Sequence, residues 1–253
     1  MRIKRVDKAA EKESIIIVAK KNSSFHPYFT TQQEKDYLAF CLKNNKKLFL
    51  FNQFPRWIFV SLIDEGKDQL ASLEESRKAA NKTADLINSR KLKTITVVGN
   101  EKLGEHVLAF AEGLALGTYQ FNRHTSKKED KINSLNTVKV SCPGVSKNQV
   151  EELDSLVNAV YKTRDLVNEP LSHLTALELS REIEKMGEEA GFDVETLHKK
   201  KIQSLRMGGL LAVNKGSVDP PTFSILTWKP ENARNRNPIV LVGKGIVFDT
   251  GGL

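Results

Sequence analysis

At four places along this chain a Ser or Thr three residues ahead of a Glu or Gln stands before a helix-like apolar pattern, and compact apolar runs lie between these places. The pairs are Thr31 with Glu34, Ser72 with Glu75, Ser146 with Gln149, and Thr175 with Glu178. In this spacing the hydroxyl caps the N3 amide and the N3 side chain reaches back, so each pair predicts a helix start. The runs at 14–19, 47–51, 57–62, 94–98 and 136–141 are rich in Ile, Val, Phe and Thr and predict strands. Strand and helix signals alternating in this way predict an α/β layered domain with a mostly parallel sheet. Within it, helices are expected over 31–43, 72–88 and the stretch carrying Val107, Phe110 and Leu114.

Pro143-Gly144 punctuates the pattern, and the helix after Ser146 runs to Pro170, which cannot continue it. The expected organisation is an N-terminal α/β domain over 1–145, a connecting helix and linker over 146–170, and a second α/β domain beginning at 171. In that domain a helix from Thr175 to Gly191 and a short one over 202–206 are expected. Strands are expected over 192–197, 210–213, 222–228 and 239–242. So many strands near residue 253 call for further helices to cover them, so more chain is expected beyond it.

Charge separates the two halves. Residues 1–150 hold 26 Lys and Arg against 16 Asp and Glu, a balance of 26 − 16 = +10, whereas the whole chain is +8. A polyanion partner such as nucleic acid is one reading of that excess. The basic residues are scattered without an aromatic-interleaved stripe, which favours a solvated lysine-rich surface. No apolar run reaches the roughly 18 residues that span a bilayer, and no secretory leader pattern opens the chain. A cytoplasmic protein is expected, with Cys41 and Cys142 as reduced packing residues and Trp57 and Trp228 in the core.

The segment with most chemical content is Val242-Gly243-Lys244-Gly245-Ile246-Val247-Phe248-Asp249-Thr250-Gly251-Gly252. It is not a phosphate loop: a glycine five residues before the lysine and a Ser or Thr after it are both missing. Asp249 is a hard oxygen donor suited to divalent ions. Lys244 could join it only as a neutral amine, its pKa depressed by nearby cations. Spacing alone leaves a salt-bridged surface turn as the competing reading.

This segment matches every fixed position of the VGKGxxFDxGG signature of the leucyl aminopeptidase (cytosol aminopeptidase) family. Three upstream segments resemble the same family in the same order. They are Ala111 to Phe121, Arg164-Asp165-Leu166-Val167-Asn168 with Pro170 and His173, and Met207 to Ser217 followed by Pro220-Pro221. The resemblance implies a small α/β N-terminal domain and a catalytic domain with a mixed sheet between helices. It implies an exopeptidase acting on peptides with a free N-terminus through a hydroxide held by two divalent ions, Zn²⁺ or Mn²⁺, in a homo-hexamer. Lys244 takes the place of a ligand to one metal and Asp249 that of the carboxylate bridging both. The family's catalytic lysine falls three positions after Leu253. Its DMGGA-like and NTDAEGR segments, which carry the remaining ligands and an arginine, are not in these 253 residues. No catalytic residue is therefore assigned here, and inactivity of the chain by itself is expected. The rival readings are a basic α/β module binding nucleotide or nucleic acid, and a scaffold subunit.

Overall fold

A computed structural model describes residues 1–25, 28–63, 68–126 and 132–245. The chain divides into two units, Met1–Thr163 and Arg164–Leu253.

The first unit is built on a six-stranded sheet in the order β1-β6-β5-β2-β4-β3. Its strands are β1 (Arg2–Arg5), β2 (Ile15–Ala19), β3 (Leu48–Asn52), β4 (Trp57–Leu62), β5 (Thr94–Val98) and β6 (Thr137–Ser141). Every pairing is parallel except the β3–β4 hairpin at the edge. The strand alternation sorts residues onto two cores. Ile16, Val18, Phe59, Ile95, Val97, Val138 and Val140 face α2 (Gln69–Ser89), α3 (Gly104–Thr118) and α4 (Lys147–Asn168). Ile15, Ile17, Ile58, Val60, Phe49 and Phe51 face the other way, toward Cys41 of α1 (Gln32–Lys43) and the aromatic pair Phe25 and Phe29. Burying two faces of one sheet explains why β2 is apolar at every position instead of alternating.

The expected starts of α1, α4 and the helix after Thr175 are present. Thr31 and Glu34 close a complete capping box, and Ser146 and Gln149 exchange bonds of 3.2 and 2.9 Å. The Ser72–Glu75 pair is a correction. The helix begins a turn earlier, where Asp68 accepts from the Leu70 amide at 2.9 Å, and the Ser72 amide already bonds the Asp68 carbonyl. β1 gave no signal in the sequence, because only Ile3 of its four residues is buried and a single apolar position carries no period. It is drawn into the sheet by parallel pairing with β6.

The second unit holds α5 (Ala176–Ala190), β7 (Asp193–His198), α6 (Lys199–Ser204), α7 (Gly208–Asn214) and β8 (Thr222–Thr227). Thr175 caps α5, and Gly191 closes it at φ 77°, the left-handed conformation that glycine adopts without strain. β7 and β8 form an antiparallel pair, Thr196 facing Ser224, with α5 packed on it.

Two strand expectations fail here. Residues 210–213 are helical within α7: a four-residue apolar run has no period of its own, and Leu-Leu-Ala favours a helix over a strand. Residues 239–242 form no strand, and Ile239, Val240, Leu241 and Val242 are all exposed. A strand needs a neighbour to take its amides and carbonyls, and among the described residues this stretch has none. Trp228, expected in the core, is exposed just past β8, and Trp57 is half-buried. Cys41 and Cys142 are buried free thiols, as expected.

Candidate metal-binding segment

After β8 the chain passes through a turn closed by the Ala233 amide on the Pro230 carbonyl, then runs without regular structure to Gly245. Lys244 is exposed on this run. Gly243 beside it has no atom within 4 Å of where a Cβ would stand. At Gly245 a Cβ would come 3.1 Å from Leu179 of α5, so the run lies against that helix. Asp249, with the rest of 246–253, lies outside the described residues. Lys244 precedes the Gly245 contact by one residue and is itself exposed.

The upstream segment 111–121 is fully described, and its residues serve packing. Glu112 holds the guanidinium of Arg77 at 2.7 Å. A Cβ on Gly113 would stand 2.4 Å from the Arg77 carbonyl oxygen and 2.7 Å from its Cα. A Cβ on Gly117 would stand 2.2 Å from the Asn81 side-chain oxygen. These two glycines, four apart on one face of α3, let α2 approach backbone to backbone. Nearby, Ser76 Oγ lies 3.0 Å from His106 Nδ1 and donates to the Ser72 carbonyl. Burial pushes the His106 pKa down, opposed by the Glu105 carboxylate and aided by Lys20. Tyr161 of α4 donates its hydroxyl to the Ala115 carbonyl at 2.6 Å and stacks edge-on with Tyr119, 5.0 Å between rings. Sequence reading missed the Arg77–Glu112 tie, whose partners are 35 residues apart, but the Gly113–Gly117 spacing was a visible signal of close helix contact.

The segment 207–217 is α7 with its flanks, and no atom lies within 4 Å of a Cβ on Gly208, Gly209 or Gly216. Residues 164–168 form the end of α4, and past it the His173 amide closes a turn on the Pro170 carbonyl at 2.8 Å.

Residues 161–253 match the model of the cytosol aminopeptidase family, catalytic domain, and residues 47–128 that of its N-terminal domain. A probable cytosol aminopeptidase of Sulfurihydrogenibium sp. is 33% identical over 204 residues, covering 77% of this chain and 40% of that protein. One from Chlorobaculum tepidum is 35% identical over 217 residues, covering 78% and 42%. The chain thus spans about 40% of the length of these curated relatives. Among solved structures, a tomato leucine aminopeptidase variant superposes with a TM-score of 0.78 at 19% identity, over 99% of this chain and 55% of that one. A bottromycin maturation enzyme in complex with Mn gives 0.66 at 20% identity, over 86% and 46%. At these identities the structural likeness shows the shared fold.

Proposed function

Because the chain belongs to the cytosol aminopeptidase family, we propose that it carries the N-terminal domain and opening part of the catalytic domain of an aminopeptidase that releases N-terminal residues from peptides. The observation that carries this reading is the match of both family domains, in order, to the two halves of one chain. In the proposal residues 1–145 form the N-terminal domain, 146–170 the connection and 171–253 the start of the catalytic domain. Lys244 and Asp249 are ligands of a pair of divalent ions, Zn²⁺ or Mn²⁺, in a cytoplasmic hexamer.

The donors present do not by themselves fit such a pair. A single Zn²⁺ takes about four donors and Mg²⁺-like ions about six. One amine and one carboxylate leave two ions mostly unliganded, and Lys244 is exposed on a run without regular structure. No step of peptide hydrolysis is therefore assigned to residues of this chain, and the chain by itself is inactive. Among the described residues the polyanion-binding alternative draws no support, and two of the basic residues in the N-terminal half, Lys139 and Arg77, are held at 2.7 Å by Glu13 and Glu112.

The test is a chimera. Residues 164–253 replace the matching stretch of the Chlorobaculum tepidum relative, and hydrolysis of a leucyl chromogenic amide is measured with Mn²⁺, beside the 253-residue chain alone. The chimera is expected to be active, to lose activity with Lys244→Met or Asp249→Ala, and the chain alone to be inactive. A folded chimera whose activity ignores both substitutions, or hydrolysis by the chain alone, overturns the assignment.

A further inference from the structure

β3 is the last strand of the six-stranded sheet and is bonded on one side only. The Leu62 amide donates to the Lys47 carbonyl at 2.8 Å and the Gln53 backbone amide to the Arg56 carbonyl at 3.0 Å. Antiparallel bonding alternates along a strand, so Phe49 and Phe51 bond β4 as well, and Leu48, Leu50 and Asn52 turn their amides and carbonyls outward. Among the described residues no backbone group meets them. The sheet's other edge, Arg2-Ile3-Lys4-Arg5, is blocked by its charges, whereas Leu48-Phe49-Leu50-Phe51 holds neither charge nor proline. α1 stands beside β3: the Gln53 side chain donates to Glu34 at 2.6 Å, and the Lys46 backbone amide to the Cys41 carbonyl at 3.0 Å. Tyr37 and Phe40 of this helix are exposed. The Tyr37 ring meets Phe51 edge-on at 5.2 Å, and Lys46 stands 5.1 Å over the Phe40 ring.

We propose that β3 accepts an extended segment of a partner protein as a further antiparallel strand, apolar where it faces α1 and acidic toward its C-terminal end. Antiparallel pairing is the more stable arrangement per residue. It sets the segment residues opposite Phe49 and Phe51 on the face that carries α1, which gives the exposed Tyr37 and Phe40 rings an apolar partner. It also brings the segment's C-terminal end to the start of β3. Lys43 and Lys46 are exposed there, and Lys21 joins them by donating to the Asn45 side chain at 2.7 Å. From Tyr37 to Ile63 the chain has no Asp or Glu. The charge at this end is therefore complemented by a partner that brings acids, and a second β3 brings none. Backbone pairing and apolar contact along the strand, with charge at one end only, set this surface apart from one that tracks a polyanion along its length.

Fluorescence polarisation of the full 253-residue chain with a fluorescein-labelled, end-capped peptide, Thr-Val-Thr-Val-Thr-Asp-Asp-Glu, tests this. Saturable binding is expected. N-methylation of the second and third threonines, whose amides face β3 in the proposed pairing, is expected to abolish it, and N-methylation of the valines to spare it. Lys43→Glu with Lys46→Glu weakens binding about tenfold, because attractive pairs become repulsive, and a peptide ending in Lys-Lys-Lys binds that variant more tightly than the parent. Both lysines are exposed, so the variant reports association rather than folding. Absence of saturable binding, equal loss from both sets of N-methyl groups, or indifference to the lysine reversal overturns the proposal. So does self-association that the peptide does not displace and that Phe40→Ala weakens, which makes a second copy the occupant.

Discussion

Replacing Gly113 by Ala asks whether segment 111–121 is held by packing. A Cβ there would stand 2.4 Å from the Arg77 carbonyl oxygen and 2.9 Å from the Ala80 Cβ, against an ordinary carbon contact of about 3.5–4 Å. The obstacle is the α2 backbone, which cannot rotate aside, so the helices must separate by roughly 1 Å along a seam that also holds the Arg77–Glu112 pair. Overpacking of this kind costs about 1–3 kcal/mol, toward the upper end where backbone is struck. Alanine returns about 1 kcal/mol of helix propensity. The steric cost wins, and a net loss of about 2 kcal/mol is expected.

Two other glycines set the scale. At Gly117 the nearest atom is the tip of the Asn81 side chain, which can turn, while the Asn81 Cα stands 3.2 Å away and leaves a smaller strain that nearly cancels the propensity. At Gly209, in α7, nothing lies within 4 Å, and the gain of up to about 1 kcal/mol is undiminished. The first unit is read by urea unfolding through Trp57 fluorescence, with Trp228→Phe in every variant to silence the second unit. Gly209→Ala is read by the far-ultraviolet melting of the second unit. Were Gly113→Ala as stable as the parent, the backbone contact of α2 with α3 would be refuted.

Two more outcomes are expected. His106 has its pKa pushed down by burial, so the folded chain binds fewer protons than the unfolded one. Its share of stability is complete above the unfolded value of about 6.5 and is lost as pH falls from there through the lowered folded value. Urea midpoints from pH 8 to 5 should fall, and His106→Gln should flatten them; a rise toward acid contradicts the burial argument. Glu34 does not interfere: burial pushes its pKa up, but hydrogen bonds from Gln53, Thr31 and Thr30 outweigh that and hold it low, so its charge is lost only at more acidic pH. Phe54, at the β3–β4 turn, is almost wholly exposed yet has φ 60°, a region that glycine enters freely and an aromatic does not. Phe54→Gly should raise stability by about 1 kcal/mol, and an unchanged or lower midpoint would show the conformation to be unstrained.

Where the sequence was legible, a local chemical signal decided the element. Thr31 and Glu34 fix the start of α1, Gly191 the end of α5, and the apolar run from Trp57 gives β4 at its observed bounds. Where it was not, the deciding partner lay elsewhere in the chain. β1 depends on β6, and residues 239–242 read as a strand by composition but have no described neighbour to pair with. α7 shows a different limit: its four apolar residues fit either period, and helix propensity decides. The candidate ligands were named by pattern alone, Lys244 on an exposed run and Asp249 outside the described residues.

The two ends of the family resemblance differ in what explains them. In segment 111–121 packing accounts for residue after residue. Glu112 answers Arg77, Gly113 and Gly117 admit α2, Thr118 returns its hydroxyl to the Leu114 carbonyl, and Tyr119 stacks on Tyr161. A glycine or glutamate there needs no chemistry to justify it. At Gly243-Lys244 packing accounts for nothing: the glycine has open space around it and the lysine is exposed. A glycine that neither turns a helix nor admits a neighbour, beside a cation the described fold does not require, calls for a cause outside that fold. The metal pair proposed above is one such cause. The same reasoning says how the substitutions should divide: changes at Gly113 move stability, whereas changes at Lys244 leave the stability of this chain untouched and register only in the chimera's turnover.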